Sequence, residues 1–243
     1  MSRPVAFVVA QRVLHQLRSD HRTVALMLIM PSLLVGLFAW LFSGGAFFQS
    51  IGPMVLALFP FVLMFVVTAI STLRERTGST LERLMTTPLT KTGYVFGYAL
   101  AFSLMAVVQT LITVGFAIWV CGLEVAGSVW LLLALSVVNS LLGTSLGLFT
   151  SAFARTEFQA VQFLPVFVFP QIILGGVFMA RDAMPSVLRV ISDFFPLSYA
   201  IDGARNVALG LSGWDVGKPL LIMAAFAVAF LGLGALTLSR RSE

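Results

Sequence analysis

Gly143-Thr144-Ser145-Leu146-Gly147 has the G-x-S-x-G spacing that hydrolases use to present a nucleophilic serine on a strand-to-helix turn. Such a serine needs a histidine and an acid within hydrogen-bond reach. The chain's two histidines, His15 and His21, both lie near the N-terminus, and the motif sits inside a long apolar run. The same residues read as G-x-x-x-G, which lets two helix backbones approach closely, and packing is the better account. Gly213-Trp214-Asp215-Val216-Gly217-Lys218 resembles a phosphate-binding loop, but it is one residue short, and Pro219 stands where a hydroxyl would hold Mg²⁺. No ATP site is expected in this chain. A single cysteine, Cys121, cannot form an intrachain disulfide or a multi-thiolate metal site, and His/Cys spacings for zinc are absent. No bound cofactor, metal or nucleic acid is expected.

The elements that would position any site are set by composition. Of 243 residues, 59% are hydrophobic and only 10% charged, and the mean hydropathy is +1.01. A soluble domain is about 25% charged, and disorder needs the opposite balance, so both are excluded. About 20 apolar residues in a helix cross the hydrocarbon core. Six runs qualify: Thr23–Phe42, Ile51–Leu73, Tyr94–Cys121, Val129–Phe153, Phe158–Phe178 and Pro219–Leu238. They are continuous rather than alternating, which excludes a lipid-facing barrel. The expectation is an all-α membrane protein with six transmembrane helices in a single domain, 1–243. The stretch 1–22 is too interrupted for a cleavable signal peptide.

Basic residues orient the bundle. Arg3, Arg12, Arg18, Arg22, Arg74, Arg76, Arg83, Lys91, Arg155, Arg240 and Arg241 fall on one side. Arg181, Arg189, Arg205 and Lys218 fall on the other, all in one long segment. The positive-inside rule then places both termini in the cytoplasm. Within the runs the polar residues are uncharged: Gln109, Thr110, Thr113, Asn139, Ser140, Thr144, Ser145, Gln159, Gln162 and Gln171. Proton-coupled carriers and voltage sensors place ionisable groups at membrane depth. None is expected here, so work against a gradient needs energy from elsewhere.

Three segments outside the runs read as structured. In Pro4–Leu17, within the 1–22 tail, Val5, Val9, Val13 and Leu17 recur every four residues while Arg12, His15 and Gln16 lie off that stripe. This fits a helix on the inner membrane surface, a plain basic tail being the alternative. In the 74–93 link, Ser79-Thr80-Leu81-Glu82 fits a capping box, Leu81, Leu84 and Met85 share a face, and Pro88 ends the turn. That apolar face must dip into headgroups or dock on a partner. In the 179–218 segment, Asp182 and Pro185 suit a helix start. Met184, Val187, Leu188, Ile191, Phe194 and Phe195 then keep helical spacing up to Pro196. A second short helix is expected near Ser198, with Asp202 and Arg205 spaced to pair. Both helices are expected to be re-entrant, dipping back into the outer leaflet with their ends satisfied by protein.

Glu75-Arg-Thr-Gly-Ser-Thr-Leu-Glu-Arg-Leu84, the run SAFARTEFQAVQFLPVFVFPQIILGGVF and then MPSVLRVISDFFPLSYAIDGAR follow in order. Together they resemble the membrane permease of a type-2 ABC exporter, the class that includes drug, polysaccharide and lipid exporters, and they resemble drug-type members more than polysaccharide-type ones. The resemblance covers about residues 70–210. It implies that 1–22 holds an interfacial helix. It makes Ser79–Met85 a coupling helix, with Glu75, Ser79, Leu81, Glu82, Leu84 and Met85 meeting an ATP-hydrolysing subunit. Met184–Phe195 and Ser198–Asn206 become paired helices at an outer gate, with Met184, Pro185, Phe194, Phe195, Pro196, Tyr199, Asp202 and Arg205 as its residues. The implied assembly has two permease copies, identical or not, and two cytoplasmic ATPase subunits that carry ATP and Mg²⁺. It moves a drug-like or lipid-like substrate outward by alternating access; compact loops and an Arg-rich chain suit a prokaryotic plasma membrane.

Gln159, Gln162, Phe163 and Phe167 are the candidates for lining the path, or else they simply pack. Pro165 and Pro170 remove backbone hydrogen bonds from the fifth run and make it a bending point. The rivals are an ATP-independent channel or facilitator, an intramembrane enzyme using Ser145, and a non-transporting scaffold.

Overall fold

The computed structural model describes residues 5–78 and 91–239. Among them are ten α-helices, a 3-10 turn at Arg181–Ala183 and no strand. The helices are α1 Val5–Ser19, α2 His21–Leu41, α3 Ala46–Thr77, α4 Lys91–Trp119 and α5 Val129–Ser151. Next come α6 Glu157–Phe167, α7 Phe169–Leu174, α8 Ser186–Asp193, α9 Pro196–Ala208 and α10 Trp214–Ser239. Six segments are long and apolar enough to cross a membrane: α2, α3, α4, α5, α6 joined to α7, and α10. They coincide with the six runs expected from the sequence, and the molecule is a multi-pass, all-α membrane protein.

One span is longer than its apolar run, and another breaks where its prolines place a bending point. Helix α3 has 32 residues and runs on past the apolar stretch into Arg74, Glu75 and Arg76. The fifth span breaks at Val168 between Pro165 and Pro170, each of which lacks a backbone N–H. Gln171 Nε2 donates to the Phe167 carbonyl at 2.6 Å, giving a carbonyl at the break a side-chain partner. The Gln171 Oε1 also accepts from the Leu197 N–H at 3.2 Å, capping the start of α9.

Helices α3 and α5 form the central pair. Gly143 and Gly147 make it possible, because a Cβ at either would collide with the Phe61 or Phe65 carbonyl oxygen of α3. That is the close approach read from G-x-x-x-G. Asn139 Nδ2 donates to the Ala57 carbonyl at 2.5 Å across the same seam, and the Thr110 and Ser140 hydroxyls, 3.2 Å apart, join α4 to α5. Ser145 Oγ donates to the Leu141 carbonyl one turn back, at 2.8 Å, so this hydroxyl serves its own helix. Around the seam lie Phe48, Phe61, Phe65, Leu132, Leu142 and Leu146, all fully buried.

Helix α1 forms where the four-residue stripe predicts, and α2 starts one residue after it. Asp20 caps α2, accepting from the Thr23 N–H at 3.2 Å and hydroxyl at 2.6 Å. Those two bonds hold its carboxyl below the usual range, the side-chain bond contributing most. The α1 stripe packs on the protein itself. Val9, Val13 and Leu17 are buried against protein, with Val9 seated over Gly97 of α4, where a Cβ would not fit. A groove left by glycine on a neighbouring helix suits a branched side chain better than loosely packed lipid does. Phe7 and Val8 are the apolar residues that α1 leaves exposed.

Candidate functional site

At the end of the bundle that carries α1, three successive residues of α3 reach three different helices. Arg74 makes a two-pronged pair with Glu157 at the start of α6, Nε to Oε1 at 2.7 Å and Nη2 to Oε2 at 3.0 Å. Glu75, 4% exposed, accepts from Arg12 Nη2 of α1 at 2.7 Å. Arg76 donates to the Ser151 and Ala152 carbonyls at the C-terminus of α5, where unpaired carbonyls and the helix dipole favour a cation. Successive residues on a helix point about 100° apart, which is why one short stretch can hold three neighbours. Tyr98 of α4 shares a small crevice with Glu75, so a fourth helix meets the same point.

The expected coupling residues divide here. Glu75 belongs to this node. Ser79, Leu81, Glu82, Leu84 and Met85 lie outside the described residues, directly after it.

The candidate path residues divide as well. Gln159, Gln162 and Phe163 line one open groove of about 610 Å³ with Phe153, Arg155, Pro165 and Val166. Phe167 is not among the lining residues. It sits a turn further on, edge-on to Phe163 with ring centroids 5.8 Å apart. Gln159 Oε1 accepts from the Arg155 N–H at 2.8 Å, while Thr156 Oγ1 accepts from the Gln159 N–H at 3.2 Å. This is a capping arrangement, and Thr-x-x-Gln at 156–159 carries its signature in the sequence.

At the opposite end of the bundle Arg181 organises the 179–218 segment. Its side chain, 11% exposed, binds Asp202 Oδ2 at 2.5 Å, Asp193 Oδ1 and, at 2.9 Å, Ser192 Oγ. It also lies 5.1 Å from the Tyr199 ring centroid. Burial opposes the Arg181 charge, but Asp202 and Asp193 outweigh it and hold the guanidinium above its ordinary range. The Tyr199 hydroxyl donates to the Asp193 carbonyl at 2.9 Å, closing α8 against α9. The expected Asp202–Arg205 pair does not form. Asp202 is taken by Arg181, and Arg205 Nη2 donates instead to the Gly176 carbonyl at 2.5 Å and faces Met54 Sδ at 3.8 Å. A short i,i+3 pair lost to a more buried guanidinium held by several partners.

Two helices occupy this segment as expected, α8 with Pro185 at its cap position and α9 with Phe195 at its cap position and Pro196 at its first turn. Proline suits a first turn, so α9 starts two residues before Ser198. Met184 precedes α8 and is half-buried, whereas Phe194, Val187 and Val190 are largely exposed. Charge counting did not reveal the role of Arg181, because its partners lie 11 to 21 residues away.

The ABC-2 type transporter family profile matches residues 5–209. The chain is 28% identical over 177 residues to the probable multidrug ABC transporter permease YbhR of Escherichia coli (strain K12), covering 71% of this chain and 48% of that one. It is 26% identical over 218 residues to the daunorubicin resistance ABC transporter permease protein DrrB1 of Streptomyces coeruleorubidus, covering 84% and 75%. It is 24% identical over 200 residues to ABC transporter G family member 20 of Dictyostelium discoideum, covering 81% of this chain and 27% of that protein. The matches thus span about half or less of two of these relatives and three quarters of the third. With a six-span bundle and a profile match over most of its length, the chain belongs to the ABC-2 type transporter family.

Proposed function

We propose that this chain is the membrane-spanning permease subunit of an ATP-driven exporter. The observation that carries the reading is the node at Arg74, Glu75 and Arg76, which ties α6, α1 and α5 to the residue that precedes 79–90. A pull or push on that segment would reach three helices at once, as a subunit driven by another molecule requires.

In this reading Ser79–Met85 docks on a separate ATP-hydrolysing subunit, and ATP and Mg²⁺ reside there. Two permease copies and two such subunits form the complex, with both termini cytoplasmic in a prokaryotic plasma membrane. A hydrophobic or amphipathic substrate passes between α3 and α6 of the two copies, along Gln159, Gln162 and Phe163. Phe167 backs that wall. The Arg181 unit, with Phe194, Phe195, Tyr199 and Asp202, forms the outer gate. The drug-resistance names of two relatives agree with a substrate of this kind.

The test is reconstitution of the permease with its ATPase subunit in vesicles. Substrate-stimulated ATP hydrolysis and uphill transport are expected, and both should fall when Leu81→Asp is introduced. Transport without ATP would establish a facilitator. ATPase binding without substrate stimulation would establish a scaffold.

A further inference from the structure

We propose that the groove at the start of α6 selects amphiphiles with an anionic head. The Arg155 guanidinium and the amides of Gln159 and Gln162 would hold the head, and Phe153, Phe163, Pro165 and Val166 the first part of the tail. This rests on the transport reading above and names the class of substrate.

The charge arithmetic is local. Among the described residues that line the groove, Arg155 is the one that is ionisable and none is a carboxylate. The acid nearest to it in sequence, Glu157, turns both oxygens to Arg74 at 2.7 and 3.0 Å, so its charge is spent elsewhere. Among the described residues the Arg155 side chain has no ion-pair partner. Capping fixes its backbone in place, with the Arg155 N–H given to Gln159 Oε1 at 2.8 Å. That bond engages the Gln159 Oε1, and Gln159, whose NH₂ carries two donors, lines the groove. Gln162 stands three residues on, on the same helix face.

A guanidinium and amide donors beside an apolar wall match a phosphate, sulfate or carboxylate head on an apolar tail. They do not match a cationic head, which would meet Arg155 without a compensating acid. Two sources share this chemistry, a lysophospholipid already in the bilayer and a soluble anionic amphiphile.

The test uses the full complex with its ATPase subunit in vesicles. Two fluorescent probes share one dodecyl tail, one ending in phosphate and the other in trimethylammonium. Binding and ATP-driven movement are measured separately, and fluorescent lysophosphatidylglycerol placed in the bilayer forms a third arm. The phosphate probe should bind and move about tenfold better than the ammonium probe, as a charge-assisted hydrogen bond allows. Arg155→Gln should remove most of that preference, raising KM for the phosphate probe and lowering it for the ammonium probe as the repulsion from Arg155 is relieved. Arg155→Lys should keep the preference, and Arg155→Glu should reverse it. Preference for the bilayer probe over the soluble one would identify the lipid as the source, and the reverse order the soluble amphiphile.

Equal handling of both heads, or an equal loss for both in Arg155→Gln, overturns the inference. So does a dimer that binds neither probe because the second copy seals the groove. Selective binding without ATP-driven movement would uphold the groove's selectivity and overturn the transport reading instead.

Discussion

The two ends of the bundle are both held by arginines, but they are wired differently. At the α1 end, Arg74, Glu75 and Arg76 make contacts across 63 to 83 residues of sequence, and each joins a separate helix. At the other end, Arg181 gathers partners only 11 to 21 residues away, all within one segment. The first network integrates the whole bundle at the residues that precede 79–90. The second ties α8 to α9 through short-range contacts within one segment. Polar links such as Gln171 to Leu197 and Arg205 to Gly176 join it to the spans, and α9 also buries Leu197, Ile201, Ala204 and Val207 in the main core. The ion pairs of the first end connect separate helices, while those of the second hold α8 to an α9 that apolar packing fixes in the core.

The sharpest way to break this contrast is Arg12→Ala. It leaves the Glu75 carboxylate, 4% exposed, without its ion-pair partner. Removing one member of a buried pair costs roughly 3 kcal/mol. Thermal unfolding of the purified chain should show a loss of that order, and ATPase coupling in the complex should fall with it. Arg12→Leu combined with Glu75→Leu should recover most of the stability, because apolar replacement of both partners removes the stranded charge. It should not recover coupling, if the pair transmits movement as well as holding α1. Recovery of both would reduce the node to a packing device.

Arg181→Ala should come next, at about 2 kcal/mol, since Asp202 and Asp193 lose a shared cation. The more telling measurement is where the loss appears. Hydrogen exchange should rise across 181–208 and stay unchanged in α1 and α4. Arg181→Lys should rescue little, because one ammonium cannot reproduce a planar fork bound to two carboxylates and a hydroxyl. Faster exchange throughout the bundle would abolish the distinction between a local network and an integrated node.

Arg74→Ala should matter less to stability than either. Arg74 and Glu157 are 56% and 51% exposed, and water screens such a pair however good its geometry. A double-mutant cycle with Glu157→Ala should give a coupling below about 1 kcal/mol, falling as salt is added. A larger, salt-insensitive value would mean that an ATPase subunit or a second copy covers the pair in the complex.

How much of this was legible in the sequence follows the range of the forces involved. The six spans were, because each needs only a local run of apolar residues. The fifth-span break was too, since Pro165 and Pro170 remove specific N–H groups wherever they stand. The α3–α5 seam could be anticipated from Gly143 and Gly147, although its partner helix could not. The ion pairs of the node were not legible, since nothing local links Arg12 to Glu75 across 63 residues. Where a local rule was applied to charge it failed, as Asp202 turned to Arg181 rather than to Arg205 three residues on. The α1 stripe was read correctly as a helix face, but amphipathicity alone does not say whether lipid or a glycine groove on α4 receives it.

Ser145→Ala should have the smallest effect, and it tests whether the chemistry of the chain belongs to its ends at all. Ser145 lies in the middle of α5 at 2% exposure, in the one stretch whose spacing imitates a nucleophile elbow. Its hydroxyl donates to the Leu141 carbonyl at 2.8 Å, a carbonyl that the helix ladder already serves. Deleting that second bond removes a donor together with its own need for a partner, so the buried site is left with nothing unsatisfied. The expected change in stability is under about 0.5 kcal/mol, and ATP-driven transport should be unaltered. A serine acting as nucleophile would behave otherwise, since its loss would abolish turnover while leaving stability unchanged. The combination of intact folding with lost activity in Ser145→Ala is therefore the result that would move the functional centre from the two charged ends to the middle of the bundle.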